Sequence, residues 1–165
     1  MIIRPETAGD AETIRQLTEA AFAGQPYSDQ TEARIIDRLR SEDAMTLSLV
    51  AEEEGEVIGH IAFSPVTITP FAVGWYGLGP VSVRPDRQGR GTGSALVRRG
   101  LDMLRKAGAS GCVLAGNPAF YERFGFRNEP ALVFPGCAPQ YFMALPLSGG
   151  LVSGTVTYHP AFGAD

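Results

Sequence analysis

The run Val81-Ser82-Val83-Arg84-Pro85-Asp86-Arg87-Gln88-Gly89-Arg90-Gly91-Thr92-Gly93-Ser94-Ala95-Leu96 constrains the fold more than any other stretch, because a β-branched strand passes through a glycine-rich turn into an amphipathic helix. Such a junction is suited to hold a phosphate. Glycines at 89, 91 and 93 carry no Cβ, so the main chain can take unusual φ values and approach a ligand closely. The first N–H groups of the helix have no intrahelical partner and sit at the positive end of its dipole. Arg87 and Arg90 add positive charge. A plain glycine-rich connection before an exposed helix is the competing reading. Two other phosphate motifs fit badly. A P-loop needs Gly-Lys-Ser/Thr at its end, whereas Gly93 is followed by Ser94-Ala95. A dinucleotide fingerprint needs Gly-x-Gly-x-x-Gly, but position 94 after Gly89-x-Gly91 is Ser and no acidic residue closes a following strand.

At 165 residues the chain suits one domain, and 44% hydrophobic residues are enough for a sizeable core. A formal charge of −4 and a pI near 5.2 argue against a nucleic-acid partner. The basic residues that cluster, Arg84, Arg87, Arg90, Arg98, Arg99, Arg105 and Lys106, lie around the glycine turn and its helix. Cys112 and Cys137 show no metal or redox spacing, so no metal is expected. Cys112 sits in the apolar run Cys112-Val113-Leu114-Ala115 and reads as a core residue. No segment has the length to cross a bilayer and no leader is evident at Met1-Ile2-Ile3-Arg4-Pro5, so the expected compartment is the cytoplasm, with no membrane partner.

Periodicity orders the remainder. Residues 2–4 read as a strand, Thr7-Ala8-Gly9-Asp10 as a helix start, and Ile14, Leu17 and Ala21 recur at helical spacing. A second helix is expected over 29–40. Strands over 46–52 and 56–67 flank Glu54-Gly55 as a hairpin, and the second is apolar on both faces, which places it centrally. The strand over 75–83 contains Pro80, which cannot donate to a ladder, so it marks a bulge, an edge or a gap. The helix over 92–107 leads to a strand over 111–115, and the strand–helix–strand order makes these two strands parallel. Asn117-Pro118 reads as the cap of a short helix ending near Gly125. Strands over 132–134, 141–147 and 155–158 complete the sheet, with 148–165 as an extension beyond a core of 1–147.

The core Gln88-x-x-Gly91-x-Gly93 resembles the signature of the GNAT superfamily of acyl-CoA-dependent N-acyltransferases. The segment Asn117-Pro118-Ala119-Phe120-Tyr121-Glu122-Arg123-Phe124-Gly125-Phe126 is similar to the short helix after the fifth strand in many of those enzymes. Together the two motifs extend the resemblance over roughly residues 1–147. It implies an α/β (α+β) GNAT fold: a mixed, mostly antiparallel sheet with a splayed parallel strand pair and flanking helices. The implied co-substrate is acetyl-CoA. By the resemblance, the strand Val81-Ser82-Val83 would hydrogen-bond the pantetheine through its backbone, and Gln88, Gly89, Arg90, Gly91, Thr92, Gly93 and Ser94 would hold the pyrophosphate. Asn117, Phe120 and Arg123 would contact the pantetheine and the nucleotide side, and Tyr121 would be the general acid at the sulfur. A tyrosine suits that role: its pKa of about 10 lies near the thiol's of about 8.5, so proton donation is nearly balanced.

Many members of the family place a glutamate on the strand before the glycine turn, but Tyr76-Gly77-Leu78-Gly79-Pro80-Val81-Ser82-Val83 holds no carboxylate. The base is then His60 on the central strand, or a water held by backbone carbonyls and Ser64. The acceptor pocket is expected between the first two helices and the loop 69–76, whose aromatics suggest an apolar lip. The leading reading is N-acetyl transfer to a small-molecule or exposed amine. A protein or peptide acceptor is the variant, a non-catalytic acyl-CoA-binding module the other class, and a homodimer is left open.

Overall fold

A computed structural model of the chain describes residues 1–163. Strand β1 (Ile2–Pro5) leads into helices α1 (Ala11–Phe22) and α2 (Glu32–Ser41). Three strands follow: β2 (Leu47–Glu53), β3 (Glu56–Thr69) and β4 (Trp75–Val83). After α3 (Thr92–Lys106) come β5 (Gly111–Ala115), the short α4 (Pro118–Tyr121), and β6 (Leu132–Val133), β7 (Phe142–Pro146) and β8 (Gly154–Tyr158). The start of α1 is held as the sequence suggests. Thr7 N–H donates to Asp10 Oδ2 at 2.7 Å, and Arg4 Nη1 donates to the same oxygen at 2.8 Å. α2 begins three residues later than expected, because Asp29 Oδ1 captures the N–H of Thr31 at 3.1 Å and Gln30 sits at φ +65°. That local side-chain bond competes with the helix for the same backbone donor.

The strands run in the order β1-β2-β3-β4-β5-β7, while β8 pairs with the far end of β3 and with β6. All ladders are antiparallel except β4–β5 and β6–β8. β3 is central, as its two apolar faces imply. Its register sorts the molecule into two layers. His60, Ala62, Ser64 and Val66 face one side, where Val50, the partner of His60, packs with Ile14 of α1 and Ile36 of α2. Gly59, Ile61 and Phe63 face the other, against α3, where the Phe63 ring fills the space a Cβ on Gly100 would need. The residues after 147 carry β8, whose Val156 is buried beside Ile68, Trp75 and Val113.

The parallel pair opens almost at once. β4 pairs with β5 only through Trp75, Tyr76 and Gly77, opposite Gly111, Cys112 and Val113. From Leu78 onward, among the described residues, β4 is bonded to β3 alone. On that side Ile61 faces Val81 and Phe63 faces Leu78, so Gly79 and Pro80 bulge as two residues against Ala62. The bulge and the gap, both among the readings of Pro80, thus occur side by side. A seam runs from the Gly77–Val113 pair to the glycine turn.

Candidate active site

At the wide end of the seam, Gly89 (φ +79°) and Gly91 (φ +87°) take left-handed conformations, and Gly91 caps α3. Gln88 Nε2 donates to Val83 O at 2.9 Å and braces the turn. A Cβ on Gly93 would lie 3.8 Å from both Phe120 and Val83, so the helix start, the end of β4 and α4 converge there. Of the nearby cations, Arg84 is held by Asp86 at 2.7 Å and Glu56 at 3.2 Å, and Arg87 by Glu53 at 3.3 Å. Arg90 is exposed. Two of the expected holders turn their side chains into the core. Ser82 Oγ donates to Thr18 Oγ1 at 3.3 Å, and Thr92 is buried against Gly59. Both can offer a ligand only their main chain.

α4 stands on the seam's other flank. Asn117 Oδ1 accepts from Ala119 N–H at 3.0 Å, and Pro118 fits the first helical position, so the cap and stop signals of the sequence fix this four-residue helix. Arg123 lies over the Phe120 ring at 4.7 Å. Tyr121 packs edge-on to Phe120 (4.9 Å) and Phe126 (6.1 Å), and its ring occupies the space beside Gly116. Its hydroxyl has no hydrogen-bond partner among the described residues. Burial pushes its pKa up to about 12, with further contributions from Cys112 and from Tyr27 on the α1–α2 connection. The phenol therefore keeps its proton at neutral pH.

His60 lies on β3, one strand away from the seam, and is fully buried. Its Nε2 is 2.8 Å from Ser48 Oγ, whose hydroxyl donates to Glu6 Oε1. Glu6 accepts from Arg40 at 2.9 and 3.0 Å. Burial lowers the His60 pKa to about 4, and Arg40 adds to that while Glu6 and Asp10 oppose it. The ring is neutral at physiological pH. Ser64 is also fully buried, opposite Gly77, the last residue of β4 that still pairs with β5.

Sequence reasoning missed Tyr158. This residue pairs with Val66, and its ring lies 2.5 Å from the place of a Cβ on Gly77, so it covers the point where the seam opens. The signal was Gly77 itself, since a glycine inside a strand marks a close approach. The loop 69–76 divides. Phe71 and Val73 are 80% and 68% exposed and can serve as a lip, whereas Trp75 is core, its ring beside Gly111.

The profile of the Acetyltransferase (GNAT) family matches residues 11–126. The N-acetyltransferase YhbS of Escherichia coli K12 is 35% identical over 169 residues, covering 98% of each chain. A crystal structure of a GNAT family acetyltransferase from Brucella melitensis in complex with acetyl-CoA shares 53% identity at a TM-score of 0.87, covering 98% of this chain and 97% of that one. The crystal structure of E. coli YhbS in complex with CoA superposes with the same TM-score at 35% identity, over 98% and 91%. By profile, by sequence and by fold, this chain belongs to the GNAT acetyltransferase family.

Proposed function

We propose that the chain transfers the acetyl group of acetyl-CoA to a primary amine on a small molecule or an exposed amino group. The observation that carries this reading is the seam, which begins at a phosphate-suited helix start and narrows to the Gly77–Val113 pair with Tyr121 on its flank. Acetyl-CoA supplies an acyl group already activated as a thioester. The main-chain groups of residues 88–94 and the start of α3 would hold its pyrophosphate, and the free edge of Val81–Val83 would bond the pantetheine as an added strand. Phe120 and Arg123 form the stacked wall beside Gly93, and Asn117 acts by capping α4. Tyr121 gives its proton to the departing sulfur, and with its pKa near 12 it is fully protonated when that step begins.

The β4 strand carries no carboxylate, and this favours one second reading, a binding module without turnover. Release of free CoA from acetyl-CoA across a panel of small amines, polyamines and peptide N-termini separates the two. Turnover with one amine class establishes the transferase and names its acceptor. Tight acetyl-CoA binding with no turnover across the panel establishes the module. A Gly93→Val variant is the binding control. Gly93 is helical and a Cβ there meets only ordinary contacts, so the fold should persist while acetyl-CoA affinity falls more than tenfold by calorimetry. Unchanged affinity would remove the pyrophosphate assignment.

A further inference from the structure

Among the described residues four buried side-chain polar atoms have no hydrogen-bond partner, and three of them, His60 Nδ1, Ser64 Oγ and Tyr158 Oη, lie on one face of the sheet. His60 and Ser64 share that face by their spacing on β3, and Tyr158 joins it through its pairing with Val66 and its contact over Gly77. The tautomer of His60 follows from its other nitrogen. Ser48 spends its hydroxyl proton on the Glu6 carboxylate, so toward His60 its oxygen is an acceptor and Nε2 must carry the ring proton. Nδ1 is then a bare acceptor in the interior. A buried acceptor without a partner is costly, and such groups are ordinarily answered by internal water. The row runs from the apex of the seam, past the bulge opposite Ala62, to His60. At the other end, Glu6 and Ser48 line a pocket of about 310 Å³ with Arg40 and Met45, open to solvent.

We propose that Ser64 and Tyr158, through internal water, pass the proton released by the acceptor amine to His60, and that Ser48 and Glu6 carry it on to the pocket at Arg40. This rests on the transferase reading. As the amine nitrogen bonds to the acyl carbon it loses a proton to the water. A proton reaches Nδ1, the Nε2 proton passes to Ser48 Oγ, and the Ser48 proton passes to Glu6 Oε1. No charge accumulates on His60, which explains how a ring held neutral by burial can serve. Once product has left, solvent in the emptied seam takes the Nδ1 proton while Glu6 takes a proton back from solvent in the pocket and returns it through Ser48 to Nε2, which restores the starting tautomer. The arrangement sets the proton acceptor on the α1 face, while Tyr121 packs with the cluster on the α3 face. Nucleophile and leaving sulfur are thereby served from opposite sides of the sheet.

The groups that face His60 are Glu6 at 3.8 Å, Arg40 behind it, and Asp10 at the start of α1. The first test needs no acceptor: nitrogen-15 NMR of the CoA-bound protein should show His60 as the Nε2–H tautomer, and an Nδ1–H tautomer overturns the relay. The second uses the amine turned over most rapidly in the panel. Ser48→Ala should lower the single-turnover rate at least tenfold and abolish its solvent deuterium isotope effect, with acetyl-CoA affinity unchanged, while Ser48→Thr restores both. Should Ser48→Ala not fold, Glu6→Gln replaces it. Wild-type rate and isotope effect in the folded variant overturn the proposal. If the wild type turns over no amine at all, the transferase reading itself has failed, and the tautomer result still decides the relay's geometry.

Discussion

Tyr121 and His60 are both polar and both buried, yet they differ in what surrounds them. Tyr121 is enclosed by aromatic rings from its own segment, so the short run 117–126 was enough to locate it. Replacing it with Phe keeps those contacts and removes one proton. The single-turnover acetylation rate should then fall by about 10²–10⁴-fold with acetyl-CoA affinity nearly unchanged, and an unaltered rate would show that water protonates the sulfur. His60 takes its partners from Ser48 on the neighbouring strand and from Glu6 near the start of the chain, and the apolar strand that carries it gave no hint of them. It does make a prediction about acid. Its pKa is about 4 in the folded protein and about 6.5 in an unfolded chain, so between those values the unfolded state binds more protons. Stability therefore rises with pH through that window and is lost on acidification from 6.5 toward 4, by roughly 3 kcal/mol. Asp10, lowered to about 2 chiefly by its Arg4 hydrogen bond, acts only at more acid pH. Thermal melts of the wild type and a His60→Gln variant should diverge in slope between pH 4 and 6.5, and parallel profiles would contradict the assignment.

Among the elements, α3 was the most legible, because its apolar stripe and glycine turn are written in consecutive residues. Its docking was not. Gly100 lies on that helix where the Phe63 ring seats, so the helix can approach β3 only if position 100 has no side chain. Gly100→Ala raises helix propensity by up to about 1 kcal/mol but overpacks the core by about 1–3 kcal/mol, and the net effect should be a lower melting temperature. Stabilisation by this substitution would show that the ring can move aside. The bulge at Gly79 and Pro80 was half legible. Proline announced a break in the ladder, but only the register opposite Ala62 shows that the break lies on the β3 side while the seam opens on the other.

At the scale of the whole molecule, the tail from 148 onward carried the weakest sequence signal, since β8 presents only one fully buried apolar side chain, Val156. Its role depends on β3, some ninety residues earlier, whose far end it extends. Removing residues 148–163 would uncover Val66, Ile68 and Val113 together with the lost Val156. At about 1.5–3 kcal/mol per buried side chain, the truncated chain should lose most of its stability and much of its soluble yield. A cooperative melt at the wild-type temperature would refute this. The seam has a consequence of another kind. A row of main-chain donors and acceptors left open inside a sheet is an unfinished ladder, the interior equivalent of an exposed edge strand. Whatever ligand completes it binds the native chain and not the unfolded one, which at a hundredfold excess over Kd adds about 2.7 kcal/mol. The amount of intact protein in a cell would then follow the local supply of the nucleotide thioester, so that scarcity of the acyl donor both slows the enzyme and marks it for turnover by proteases.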